Sequence, residues 1–235
     1  MPYIFWTRSL QDWERDQTFF AHAKERVLSL PCVSFRAILD DKSVLEKVPS
    51  SLIITSRRVL SFLSSPSLQL AISGQLAALL KSCQSHCFGE STFAAIKAAG
   101  GRPKLYKAKT AKELAETIEG EGPFLYLGPK RPAYDMKGHL IRRGFACESL
   151  AIYETREEAA LPPDEIKPMG RRLEGRVCFG SPSAVRGFLK SFDGDRLTAY
   201  CLGETTKAAC GGYFKRVVVV ETAHLGELAA RALED

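Results

Sequence analysis

One hexapeptide pattern occurs twice in the chain. Cys87-Phe88-Gly89-Glu90-Ser91-Thr92 returns as Cys201-Leu202-Gly203-Glu204-Thr205-Thr206, and an Ala pair follows each copy. Upstream of each copy stands a second matched pair, Ile53-Ile54-Thr55-Ser56 and Val177-Cys178-Phe179-Gly180-Ser181. Each time an apolar, strand-like run ends in small or hydroxylated residues and passes into a helical pattern. Two similar α/β modules with four strand-to-helix turns around one cleft account for this. Helix N-termini present free backbone N–H groups and a partial positive charge, so such a cleft suits an anionic ligand.

A chain of 235 residues accommodates two modules of roughly 110 residues each. No apolar run approaches the roughly 20 residues that span a bilayer. Met1-Pro2-Tyr3-Ile4-Phe5-Trp6 lacks the basic start and cleavage site of a secretory signal, so a soluble cytoplasmic protein with no membrane partner is expected. The seven cysteines, at 32, 83, 87, 147, 178, 201 and 210, fall mostly in apolar runs and read as reduced, buried small hydrophobes. His86 lies between two of them, but no second ligand pair stands at zinc spacing, so no metal is expected. The net charge is +6, with basic residues concentrated in 102–112 and 130–143. These clusters are solvated helix faces or an attraction for an acidic ligand. No nucleic-acid motif accompanies them, and no nucleic-acid partner is expected.

The hydrophobic pattern predicts a strand at 3–6 and an amphipathic helix with its turn over 12–30, where Phe19, Ala23, Val27 and Leu30 recur at helical spacing. Pro31 stops it, and 32–39 reads as extended. Then come strand 52–55, helix 58–63, a partly helical stretch over 64–80, strand 86–88, helix 92–99 and strand 104–106. A helix over 111–118 opens with a capping box, Thr110 and Glu113. Strand 124–127, helix 134–143 and an extended run 146–155 precede an acidic joint at 157–163. The remainder alternates strand 177–179, helix 184–192, strand 199–202, helix 206–211, strand 216–220 and helix 225–233. All-apolar strands alternating with helices indicate doubly wound parallel sheets covered on both faces. Four strands fall between 51 and 143 but only three after 175. The later module therefore needs a strand and helix from the N-terminus. This gives a discontinuous α/β domain of 1–31 with 156–235, an inserted α/β domain of 37–146, and connecting strands at 32–36 and 147–155.

With these features placed, the chain resembles the uroporphyrinogen-III synthase family. The marks are Thr7-Arg8 after the first strand, Ile54-Thr55-Ser56 with Arg58, the Gly89–Thr92 turn, and Gly144 leading to Glu148-Ser149-Leu150-Ala151-Ile152-Tyr153-Glu154-Thr155. Phe179-Gly180-Ser181-Pro182-Ser183-Ala184-Val185 and Leu202-Gly203-Glu204-Thr205-Thr206 complete the set in family order. The resemblance implies two α/β domains joined by a two-stranded ladder with a cleft between them. It also implies a cofactor-free lyase that cyclises hydroxymethylbilane with inversion of the last pyrrole ring, in haem and related tetrapyrrole synthesis. The substrate is a linear tetrapyrrole with eight carboxylates, and transient contact with hydroxymethylbilane synthase is the implied protein partnership.

In the reaction that the resemblance implies, hydroxide leaves the terminal hydroxymethyl group with electron donation from the adjacent pyrrole. The azafulvene cation is attacked at a substituted carbon of ring D, and the resulting spiro intermediate fragments and recloses with ring D reversed. Uninverted closure competes, so positioning of the folded substrate dominates. Hydroxyls of Ser56, Ser91, Thr92, Ser181, Ser183, Thr205 and Thr206, with Thr7 and the guanidinium groups of Arg8 and Arg58, are the candidate carboxylate ligands. Each Ser or Thr has an alternative role as a plain N-cap. Glu90 and Glu204 read as first-turn residues favoured by the helix dipole. The family places a tyrosine near the leaving hydroxyl, which makes Tyr153 the candidate acid; its alternative is aromatic packing. A two-domain binding module or regulator for an anionic ligand is the competing function.

Overall fold

The structure is a computed structural model describing residues 2–38, 43, 45, 49–63, 70–159, 164, 166–220 and 224–234. β1 (Tyr3–Trp6) leads into α1 (Leu10–Asp16) and, through two short 3-10 turns, to β2 (Val27–Ser29) and β3 (Val33–Ala37). Next come β4 (Ser51–Ile54), α2 (Arg58–Leu63), α3 (Leu70–Ser82), β5 (Gln84–Phe88), α4 (Glu90–Ala98), β6 (Arg102–Tyr106) and α5 (Ala111–Thr117). β7 (Phe124–Pro129), α6 (Met136–Arg142) and the long β8 (Cys147–Glu157) follow. The chain continues through β9 (Gly175–Phe179), α7 (Pro182–Leu189), β10 (Leu197–Leu202), α8 (Glu204–Cys210), β11 (Arg216–Val220) and α9 (Leu225–Glu234).

The chain forms two compact units, Met1–Phe35 with Thr155–Asp235, and Arg36–Glu154. The first holds a parallel sheet in the order β11-β10-β9-β1-β2. The second is built on the order β3-β8-β7-β4-β5-β6, in which every pairing from β8 to β6 is parallel. The chain passes between units along β3 and β8, which are neighbours in that sheet.

Strands covered on both faces run predominantly apolar, and β4 is buried at all four positions, Leu52, Ile53 and Ile54 completely. In the first unit alternation sorts the side chains. Phe5, Val177, Phe179, Ala199 and Cys201 pack on one face with Ala184, Val185 and Phe188 of α7. Ile4, Trp6, Cys178 and Tyr200 pack on the other with Leu228, Ala229 and Ala232 of α9. In the second unit Ile53, Phe124, Tyr126 and Cys147 meet Leu114, Ala115, Met136 and Leu140 of α5 and α6. All seven cysteines are buried; Cys201 and Cys210 bring their sulfurs to 3.3 Å across β10 and α8.

The two copies of the hexapeptide fold alike. Gly89 and Gly203 are the N-cap residues of α4 and α8 at φ 76° and 80°. A residue with a Cβ is strained there, which explains a glycine at the same place in both copies. The capping box at α5 forms with one change. Glu113 N–H donates to Thr110 Oγ1 at 3.1 Å, while the Glu113 carboxylate accepts from the backbone N–H of Lys109 rather than of Thr110.

Two sequence readings change. The helix expected over 12–30 is only α1; its later part is 3-10 turns and the strand β2, paired in parallel with β1. The apolar stripe that suggested the helix is not one face, since Phe19 is 38% exposed while its neighbour Phe20 is buried. The N-terminus therefore supplies two strands to its sheet, not one. In the stretch over 64–80, residues 64–69 lie outside the described residues, and the rest belongs to the regular helix α3. Residue 39 of the extended segment and 160–163 of the acidic joint also lie outside the described residues.

Candidate active site

In a parallel α/β sheet ligands bind beyond the carboxyl ends of the strands, where successive connections leave in opposite directions. In the second unit that point lies between β4 and β7, since the chain runs β4 to β5 to β6 on one side and returns to β7 on the other. Thr55, Ser56 and Arg58 follow the carboxyl end of β4. Tyr153 comes from the carboxyl part of β8.

The register of β8 sets the direction of Tyr153. Gly128 of β7 aligns with Ala151, but the next residue, Pro129, aligns with Tyr153, so β8 carries one extra residue. A one-residue slip sends the following side chain to the opposite face. Tyr153 thereby leaves the α5/α6 face occupied by Cys147 and turns to the α2 face. There its ring stacks on Phe62 at 5.5 Å between centroids and 20° between planes. The residue is 6% exposed. Burial pushes its phenol pKa up; the Arg58 charge and a hydrogen bond with Ser56 pull it down without reversing the shift. The phenol is therefore protonated at neutral pH and available as a donor beside a cation. Ser56 Oγ also accepts from the backbone N–H of Arg58 at 3.3 Å, closing the turn into α2.

Two residues absent from the sequence-based set belong to this cluster. Tyr126 Oη lies 3.3 Å from Thr55 Oγ1. Burial raises the Tyr126 phenol as well. The available signal was a hydroxyl-bearing tyrosine in an otherwise apolar run, Phe124-Leu125-Tyr126-Leu127, followed by a glycine.

The other expected ligands divide by exposure. Ser91 and Thr205 are exposed in the first turns of α4 and α8. Ser181 caps α7, accepting from Ala184 N–H at 3.4 Å, and its hydroxyl lies 3.0 Å from that of Ser183; both are half-buried. Thr92 is 5% exposed. Glu90 and Glu204 stand in the first turns, and Glu204 pairs with Lys207 at 3.3 Å.

Three expected ligands are engaged inside the fold. Thr7 is fully buried and its hydroxyl donates to the Cys178 carbonyl at 2.6 Å. Thr206 is 1% exposed and donates to Leu202 O at 3.0 Å. Arg8 holds Asp16 at 2.6 Å and Asp12 at 3.0 Å, so its charge is met by two carboxylates of α1.

A cavity of about 1050 Å³ opens at the opposite, amino edge of the first unit's sheet, lined by Tyr3, Arg172, Arg176, Arg196 and Arg216 among others. It contains none of these candidate residues. Among the described residues no helix is long and apolar enough to cross a membrane, and no group of three or more His, Cys, Asp or Glu is placed to hold a metal.

Comparison with known proteins bears on the whole chain. No individual curated protein matches it by sequence. The structure of uroporphyrinogen-III synthetase from Helicobacter pylori is similar at TM-score 0.68 and 18% identity, covering 99% of each chain. A mutant uroporphyrinogen III synthase from the extremely thermophilic bacterium Thermus thermophilus is similar at TM-score 0.60 and 18% identity, covering 100% of this chain and 99% of that one. At such identity these likenesses establish the two-domain fold. The family model described as uroporphyrinogen-III synthase HemD matches residues 19–230, and the chain therefore belongs to the uroporphyrinogen-III synthase family.

Proposed function

We propose that the chain converts hydroxymethylbilane to uroporphyrinogen III, with Tyr153 as the acid that meets the departing hydroxide. Family membership supports the reaction, and one observation supports the assignment. The Tyr153 phenol is held protonated against Ser56 and Arg58 at the carboxyl edge of β4. The bond that breaks is between the terminal methylene carbon and its hydroxyl oxygen. The electron pair leaves with oxygen, Tyr153 supplies a proton or hydrogen bond, and water departs. The adjacent pyrrole nitrogen delocalises the positive charge left on the methylene, so the acid is asked for only part of the barrier. Arg58 draws a substrate carboxylate to the same edge. It also stabilises the phenolate that would follow transfer, which assists the proton's departure.

Ser91, Thr92, Ser181, Ser183 and Thr205, with nearby turn amides, hold further carboxylates in this proposal. Thr7, Arg8 and Thr206 serve the fold instead. No cofactor enters the mechanism, because the leaving group is activated by the substrate's own pyrrole. The same reading takes 1–31 with 156–235 as one domain, 37–146 as an inserted one, and 32–36 and 147–155 as connecting strands. It places the enzyme in the cytoplasm, receiving its unstable substrate by transient contact with hydroxymethylbilane synthase.

The test is turnover of hydroxymethylbilane with the product isomer identified after oxidation. The proposal expects the inverted isomer. For Tyr153→Phe it expects a turnover number lower by up to about 100-fold, with the isomer and thermal stability retained. An unchanged turnover number would return Tyr153 to packing against Phe62 and leave water as the acid. Binding without turnover would favour the regulator reading.

A further inference from the structure

Tyr126 stands on β7, in register with Ile53 of β4 on one side and Ser149 of β8 on the other. Its ring packs among the α5 and α6 residues, on the face opposite to the one taken by Tyr153. A tyrosine here must find a partner for its hydroxyl, since an unpaired buried hydroxyl is costly. It does so by lying forward along its own strand. A Cβ built on Gly128 would stand 2.6 Å from both Cζ and Oη of Tyr126, so the ring occupies the space a side chain at 128 would fill. This absence of a side chain carries the phenol to the carboxyl edge, where it meets Thr55 Oγ1 at 3.3 Å.

Thr55 and Ser56 are consecutive, and alternation sends their side chains to opposite sides of the strand exit. One is held by Tyr126 from the α5/α6 side. The other faces Tyr153 on the α2 side. We infer that Tyr126 is a positioning residue for the reaction, its hydroxyl reaching over Gly128 to Thr55 and so fixing the turn that offers Ser56 and Arg58 to Tyr153. It touches no reacting atom in this scheme. The inference deepens the reading of Tyr153 as the acid and, for its effect on turnover, rests on it.

The variants are Tyr126→Phe, which keeps the ring, and Thr55→Val, which keeps the branched shape; each removes one hydroxyl of the pair. Thr55→Ser retains the hydroxyl. The first readout is the Tyr153 Cζ resonance in protein labelled at tyrosine Cζ, assigned by its loss in Tyr153→Phe among seven tyrosines. Loosening the turn weakens the Ser56 bond and Arg58 field on the phenol. The resonance should shift, and its titration should rise, in Tyr126→Phe and Thr55→Val but not in Thr55→Ser. The second readout is the split between kcat and KM. Misplacement by about 1 Å can cost on the order of 100-fold, so a partial loosening is expected to lower kcat by about 10-fold, with KM rising less than in Arg58→Ala, which loses the guanidinium outright. In a Tyr153→Phe background Tyr126→Phe should change kcat less than about 2-fold, because the acid it serves is gone. An unmoved Tyr153 resonance in both Tyr126→Phe and Thr55→Val overturns the positioning role, whatever turnover does. A moved resonance with full activity in Tyr153→Phe upholds the positioning and overturns only the acid.

Discussion

Asp16 should be the most costly carboxylate to neutralise in the first unit. It is fully buried. Its Oδ2 accepts from Arg8 Nη1 at 2.6 Å and from the indole Nε1 of Trp6 at 3.1 Å, and its Oδ1 accepts from Arg15 Nη2 at 3.0 Å. Asp16→Asn keeps the shape but replaces one acceptor oxygen with an NH2 that faces donors. Removing one partner of a buried ion pair costs about 3–5 kcal/mol. Arg8 retains Asp12, and Arg15 is 47% exposed and keeps water, so the lower end, about 3 kcal/mol, is expected. With a urea dependence of about 2 kcal/mol per molar, the unfolding midpoint falls by about 1.5 M. The chain's two tryptophans, Trp6 and Trp13, both belong to the first unit, so tryptophan fluorescence isolates its transition. Asp164→Asn is the control. It removes a pair with Lys167 whose side chains are 92% and 59% exposed, and such pairs contribute little. A fluorescence midpoint for Asp16→Asn within about 0.3 M of the wild type would refute the reasoning, since it would mean that Arg8 and Trp6 lose nothing with the carboxylate.

Other outcomes follow from named contacts. His86 is buried beside Tyr106 and Phe124, and burial, then Lys104, lower its pKa to about 4. Only the unfolded chain takes up a proton between about pH 6.5 and 4, so stability falls as pH drops through that window, by about 3 kcal/mol in all. His86→Leu should lose this part of the acid dependence in circular-dichroism melts; an unchanged dependence would mean other groups carry it. Arg58→Ala should raise KM for the polyanionic substrate and flatten its rise with salt, whereas Arg171→Ala, whose guanidinium is exposed beside Asp193, should do neither. Equal effects in steady-state kinetics would reduce Arg58 to diffuse charge. At Gly187 of α7 a Cβ would run into the backbone carbonyl of Cys32, so Gly187→Ala should destabilise the first unit by about 3 kcal/mol or more in the fluorescence assay. A wild-type midpoint there would show that α7 shifts freely.

Strand–helix alternation was legible because these sheets are covered on both faces, and all-apolar runs such as Leu52-Ile53-Ile54 and Val177-Cys178-Phe179 have few other uses. α2 and β11 keep the bounds read from sequence. β2 was not legible. It is three residues long, and Val27 and Leu30 also fit a helical stripe. The pairing of Arg8 with carboxylates inside the fold was hidden for a related reason. Asp12 and Asp16, four apart, look like the solvent face of a helix, and only the fold turns them toward Trp6 and Arg8. The bulge that re-aims Tyr153 depends on the register against β7, which local sequence does not carry.

The repeat acquires its meaning from strand order. Setting β9-β10-β11 against β4-β5-β6 matches both repeated motifs, and it then places β1 opposite β7 and β2 opposite β8. The units are thus one arrangement with its chain order permuted. Two strands precede the repeated segment in the first unit and follow it in the second. That permutation lets the second unit leave and rejoin the chain beside a single edge, through β3 and β8. It also defines which position of the first unit corresponds to Tyr153. The end of β2 runs into Leu30, Pro31 and Cys32, where Leu30 and Cys32 are buried and none of the three bears a proton-donating oxygen. The turn positions proposed to hold carboxylates are therefore duplicated, while among the described residues the phenol with its Ser56, Arg58, Thr55 and Tyr126 surroundings occurs once. A substrate with many carboxylates but one leaving group needs that distribution. With Tyr153 as the acid, as proposed, duplicated anchors serve the repeated acid chains, and a second proton donor of equal strength would have no hydroxyl to meet.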